Sequence, residues 1–240
     1  MRSGPAAPKV GEQIASDLRA RIASGELTAG DRLATEEELL EEYGAARNTL
    51  REAFRILESE GLLELRRGRT GGVFIAHPGI EELARGFSVR LALDGTNLGD
   101  LYDAREAIEL ALVARLAQRR NAMALRHLEQ AIDSAAEAAE IDDPTAFGLA
   151  AALLHETLIV EAGNQTLAVV ARMMRDLVER SYSAMKPDQR SMRRAVRSYQ
   201  RLYDFVKARD AEGAVEQLRK QMRFTRSAPS DLWTQPVKGP

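Results

Sequence analysis

Between residues 10 and 22 apolar side chains recur every four positions (Val10, Ile14, Leu18, Ile22), which lays one hydrophobic stripe along a helix starting near Lys9. Ser24 and Gly25 end it, and the run GELTAGDRL is a turn-rich connector. Thr35 stands three residues before Glu38, the spacing of a capping box, so a second helix starts there with Leu39, Leu40 and Tyr43 on its buried side and Gly44 as its stop. A third helix is predicted from about Arg47 to Glu60. Leu50, Ala53, Phe54 and Leu57 share one of its faces, and Arg47, Asn48, Arg51 and Arg55 gather opposite, because residues four apart lie one turn above another. Gly61 fits a C-terminal cap with Leu62 as its hydrophobic follower. The short runs LLEL and VFIA then read as two strands joined by RRGRTGG, a basic turn whose paired glycines allow a tight reversal and close approach to a partner.

His77-Pro78-Gly79 interrupts this pattern and marks the expected domain boundary. Beyond it the periodicity is helical throughout, with segments expected at roughly 79–93, 98–119, 121–140, 144–161, 164–185, 188–209 and 211–226. Their breakers are Asp94-Gly95, Asn121, Asp142-Asp143-Pro144, Gly163-Asn164, Lys186-Pro187 and Asp210. The predicted organisation is a mainly α chain: a winged helix-turn-helix over 9–77, an all-helical bundle over 78–227 and an irregular tail over 228–240 that holds the only tryptophan, Trp233.

Composition narrows the function classes. Hydrophobic content of 45% and charged content of 29% are those of a globular chain, and no apolar run is long enough to span a membrane. The opening MRSGPAAPKV lacks the apolar core of a secretory signal, so the expected address is the cytoplasm. With no cysteine, disulfides, zinc ribbons, iron–sulfur clusters and thiol nucleophiles are excluded. His77, His127 and His155, the three histidines, sit in unrelated contexts with no nucleophile-and-base motif, which speaks against an enzyme. The net charge of -2 hides local basic patches, and an aromatic content of 5% argues against stacking on single-stranded bases, so a nucleic-acid partner is expected to be duplex DNA.

In a helix-turn-helix the second helix enters the major groove and presents its N-terminal residues to base edges. Arg47, Asn48, Thr49 and Arg51 hold that position; arginine bridges guanine O6 and N7, and asparagine pairs with adenine. Arg66, Arg67 and Arg69 around Gly68 would reach phosphates or the minor groove. Each cluster alone also fits an ordinary solvated face; their joint spacing points to DNA.

Residues 10 to 76, with SGELTAGDRLATEEEL, RNTLREAFRILESEGLL and RRGRTGGVFIA, resemble the DNA-binding domain of the GntR family of bacterial repressors. The helical remainder resembles the FadR-type effector domain (FCD) through LYDAREAIELALVARLA, HETLIVEAGNQTL and YDFVKARDAEGAVEQLRKQM. The resemblance implies a homodimer on a short palindrome whose grip a small-molecule effector alters, with DNA contacts at Arg47, Asn48, Thr49, Arg51, Arg67 and Gly68. Two departures bear on specificity. Ala46 stands where the family usually has a hydroxyl that caps the recognition helix, and Glu37 stands where many members carry arginine, which removes one expected backbone contact.

Many FCD domains hold a divalent metal with one aspartate and three histidines. Here those positions are Ala151, His155, Tyr199 and Gln221, so no metal is expected, apart from a weak alternative built from His155 and neighbouring carboxylates. Metal-free binding of an organic acid or acyl-CoA by His155, Tyr199 and Gln221 is the expectation, with Arg105 as a carboxylate clamp. Arg105 and Glu109 also fit a plain helix-surface salt bridge, and Arg172 and Arg175 fit either a ligand site or a solvated face. His127, in a polar run, is expected to be exposed, and a helical domain that only dimerises remains the rival reading.

Overall fold

Thr35 and Glu38 form the reciprocal cap their spacing predicts: the Thr35 hydroxyl accepts from the Glu38 N–H, and Glu38 accepts from the Thr35 N–H at 2.7 Å. That cap starts α2 (Glu36–Tyr43), which lies between α1 (Val10–Ala23) and α3 (Arg47–Ser59) in the chain. A computed structural model describes residues 9–68, 71–182, 187–226 and 230–237. The chain divides into two units, Met1–Glu82 and Leu83–Pro240, so the boundary falls slightly beyond the expected His77-Pro78-Gly79 break.

The first unit closes around a small core. Ile14, Ala15 and Leu18 of α1 meet Leu50, Ala53, Phe54 and Leu57 of α3, with Leu39 from α2 and Leu33 from the connector. Gly61, at φ +72, takes the left-handed turn that ends α3, and the Leu62 N–H returns to the Leu57 carbonyl at 2.9 Å. Strands β1 (Leu63–Arg66) and β2 (Gly72–Ile75) pair antiparallel, from Leu63 opposite Ile75 to Arg66 opposite Gly72. The connector does more than turn. Arg32 bridges to Phe74, the Leu33 N–H donates to the Val73 carbonyl at 2.9 Å, and the Ile75 N–H donates to the Asp31 carbonyl at 2.8 Å. This satisfies one edge of the wing with main chain that the sequence pattern left as a turn.

The second unit is helical: α4 (Ile80–Leu93, which begins in the first unit), α5 (Leu98–Arg119), α6 (Ala122–Glu140), α7 (Pro144–Glu161), α8 (Gln165–Tyr182), α9 (Gln189–Lys207) and α10 (Ala211–Arg226). The expected end of the 164–185 segment lies outside the described residues. Helix α5 packs against α7, α8, α9 and α10, which is why Leu112, Val113, Leu116 and Ala117 are all buried. Alanines 131, 135, 138 and 139 of α6 let it approach its neighbours α7 and α9 closely.

The tail departs from its irregular expectation. One turn of helix, α11 (Ser230–Trp233), buries Trp233 edge-on against Tyr102 at 4.9 Å between ring centroids. The Leu98 N–H then donates to the Gln235 carbonyl at 2.9 Å, and the Val237 N–H to the Thr96 carbonyl at 3.2 Å. A large apolar ring and Val237 gain more by covering the start of α5 than by staying in water. Among the described residues, no helix is long and apolar enough to cross a membrane.

Candidate DNA-reading surface and effector site

Helix α3 begins at Arg47, and its N-cap, Ala46, has an extended backbone with no side-chain cap, as the missing hydroxyl predicts. The buried stripe of Leu50, Ala53, Phe54 and Leu57 fixes the helix by one face. The opposite face therefore presents Arg47, Asn48 and Arg51 to solvent, with Thr49 half-buried beside them. These four expected DNA contacts share one surface at the start of α3. Two glutamates of α2 reach the same surface: Glu37 Oε1 lies 3.9 Å from Arg47 Nη2, and Glu36 Oε1 lies 3.7 Å from Arg51 Nε.

In the wing Arg66 is already engaged, stacked over Phe74 at 4.3 Å and bonded to Glu64 at 3.0 Å. Arg67 and Gly68 are exposed at the tip, and Arg69 lies outside the described residues. A Cβ at Gly71 would sit 2.5 Å from the Arg66 carbonyl oxygen, so the return into β2 requires glycine.

The second site is a buried chain of charge. Arg105 Nε donates to Glu109 Oε1 at 2.6 Å, and Glu109 Oε2 lies 2.9 Å from His155 Nδ1. The three side chains are 10%, 2% and 14% exposed. The alternative of a helix-surface salt bridge is thereby overturned: α7, α8, α9 and α10 all pack on α5 and remove the Arg105–Glu109 pair from water. Burial pushes the Glu109 carboxyl up, but the charges of Arg105 and His155 outweigh it and hold the group well below the usual carboxylate range. Tyr199 is buried beside the same charge and stacks on Phe147 at 6.3 Å. Burial pushes its phenol well above the ordinary value, the Arg105 charge pulling part of the way back, so at neutral pH it is an uncharged hydroxyl.

Two of the four expected effector residues, Arg105 and His155, thus meet on Glu109, and Tyr199 lies within reach of the Arg105 charge. Gln221 Oε1 is buried, and among the described residues it has no hydrogen-bond partner. The α10 side chain that does hold α9 is Gln217, donating to the Ser198 hydroxyl at 2.8 Å next to Tyr199. Sequence reasoning missed it, because one glutamine among many on a polar helix carries no signal. Arg172 and Arg175 both pair with Glu156 of α7. His127 is 44% exposed and bonds Glu161 at 2.9 Å.

A metal does not fit this donor set. Ala151 offers no ligand atom, Tyr199 is a neutral phenol, and the carboxylate nearest His155 is already bound by Arg105. Among the described residues no three His, Asp or Glu side chains converge on one point.

Comparison with known proteins agrees with both halves. The family described as bacterial regulatory proteins, gntR family, matches residues 10–75, and the FCD domain matches residues 100–224. An uncharacterised HTH-type transcriptional regulator of Bacillus subtilis (strain 168) is 30% identical over 90% of this chain and 88% of its own length. The galactonate operon transcriptional repressor of Escherichia coli (strain K12) is 25% identical over 85% and 89%. Among solved structures, Streptococcus agalactiae GntR shares the fold with a TM-score of 0.63 at 21% identity, covering 91% of this chain and 100% of that one. The chain belongs to the GntR family of bacterial transcriptional regulators, not to a family of enzymes, and joins its winged helix-turn-helix reader to an FCD effector-binding domain.

Proposed function

We propose that this regulator is a ligand-responsive repressor. It binds a palindromic operator as a homodimer in the cytoplasm, and a small organic acid or acyl-CoA held near Arg105, His155 and Tyr199, with Gln221 as a further contact, changes its grip. The observation that carries the ligand reading is the buried Arg105. Its Nε is taken by Glu109 and its guanidinium carbon lies 5.8 Å from the centre of the Tyr102 ring, while among the described residues its terminal nitrogens donate no hydrogen bond to protein. A guanidinium held rigid by one carboxylate and bordered by a neutral phenol and an imidazole suits bidentate capture of a second carboxylate. Repression is the favoured sense because similar relatives are named repressors, for the galactonate operon in Escherichia coli and the gluconate operon in Bacillus licheniformis.

The dimer reading has its own support. Helix α7 carries apolar residues around its whole circumference, the pattern of a helix buried on every side. In the single chain, however, Leu149, Leu153 and Val160 stay exposed. A second copy would cover them, and surfaces of this kind mark interaction sites on soluble proteins. Glu109 also answers Arg105 as an internal carboxylate would, which suits a helical domain that only dimerises.

A melting assay separates the two. In a screen of organic acids and acyl thioesters, at least one compound is expected to stabilise the wild type by roughly 2.7 kcal/mol at a hundred times its Kd. Arg105→Lys keeps the charge facing Glu109 but loses the planar fork, so it should bind that compound roughly ten-fold or more weakly. No stabilising compound would favour the scaffold, and equal binding by Arg105→Lys would place the ligand away from Arg105.

A further inference from the structure

We propose that Glu37 and Arg47 together read one G·C base pair, Arg47 donating to guanine and Glu37 accepting from the cytosine amino group. The inference rests on α3 being the DNA-reading helix.

The first turn of α2 holds three glutamates with three different fates. Glu38 is consumed by the cap on Thr35. Glu36 turns toward Arg51, and its Oε1 is buried. Glu37 is 86% exposed, and among the described residues its one charged neighbour within 4 Å is Arg47, itself 63% exposed. Acidic residues favour any helix N-terminus, but Glu36 and Glu38 already supply that here. Arg47 opens the helix that enters the groove, so a carboxylate 3.9 Å from its guanidinium travels to the base edges with it.

A carboxylate at that depth is repelled by phosphates and by every acceptor on the groove floor. It gains only where it meets a donor, and the major groove offers two: cytosine N4 and adenine N6. The G·C edge presents two acceptors on guanine followed by the donor on cytosine. A donor side chain next to an acceptor side chain matches that order. An A·T edge runs acceptor, donor, acceptor, and would set thymine O4 against one of the two side chains in the wrong sense. The pair therefore fixes both the base pair and its orientation. It also holds down non-specific affinity, because Glu37 offsets one of the positive charges that would otherwise attract any phosphate.

The test deletes single functional groups on both sides. An operator is selected from a random duplex library with the wild-type chain, then resynthesised with 2-pyrimidinone replacing each half-site cytosine in turn, which removes the amino group and leaves guanine O6 and N7 in place. At one cytosine the wild type is expected to lose roughly ten-fold or more in affinity at fixed salt, as for a charged acceptor left unpaired. Glu37→Ala should be indifferent to that replacement, within about two-fold, while binding unrelated DNA more tightly than wild type. Glu37→Gln, which retains an acceptor oxygen, should keep part of the discrimination. A wild type indifferent at every cytosine, or a Glu37→Ala chain that loses as much as wild type at the same one, overturns the assignment. Failure of the wild type to select any sequence would instead overturn the reader on which it rests.

Discussion

Replacing Arg51 by alanine is expected to weaken specific operator binding by roughly 5- to 150-fold, the loss that follows from removing one good bidentate base contact. Arg51 is one turn along α3 from Arg47, on the face that the core leaves to solvent. Among the described residues its one charged partner is Glu36 at 3.7 Å, an exposed pair that contributes little to stability. Stability and assembly should therefore be unchanged, and the loss should be confined to the selected operator, with a much smaller fall on unrelated duplex. Titrating both duplexes at one salt concentration, beside a melting curve, distinguishes base reading from phosphate attraction. Equal losses on the two duplexes would make Arg51 a backbone contact, and no loss would displace α3 from the groove.

The largest stability effect should come from the second unit. Glu109→Ala leaves the Arg105 guanidinium buried without its carboxylate, and removing one partner of a buried pair costs about 3–5 kcal/mol. His155 loses its partner at the same time. For a chain of this size that corresponds to a fall in melting temperature on the order of 10 °C. The pH dependence has a definite sign. The folded carboxyl titrates below the ordinary value near 4.3, so its contribution is complete above that pH and is lost as pH falls below it toward the folded value. Acid unfolding of the wild type should steepen below about pH 4. Glu109→Gln should flatten that part of the curve. A mutant that melts with the wild type would show that the Arg105–Glu109 pair is solvated after all.

The two units differ in how much of them the sequence discloses. The reader is specified by short-range signals. Thr35 and Glu38 cap α2, Gly61 ends α3, and the glycines of RRGRTGG turn the wing, each acting within a few residues. Only the pairing of Arg32 with Phe74 escaped, because it joins segments far apart in the chain. In the second unit the helices were readable and their surroundings were not. Arg105 and Glu109 are four apart, which looks the same on a solvated helix as on one enclosed by four neighbours. His155 and His127 both sit near glutamates in sequence, yet one is buried in a charged chain and the other is half-exposed. The docking of Trp233 had a signal that went unused: the chain's single tryptophan is a large apolar surface, and its burial against Tyr102 is what a proline-flanked tail can supply.

A ligand held at the enclosed Arg105–Glu109–His155 chain should act on the reader. The test is the operator Kd of the 240-residue chain with and without the compound that raises its melting temperature. A coupled sensor shifts that Kd by roughly 5- to 150-fold at saturation, and the operator shifts the compound's affinity by the same factor. A compound that binds and leaves the operator Kd within two-fold would mean that the helical domain does not control the reader.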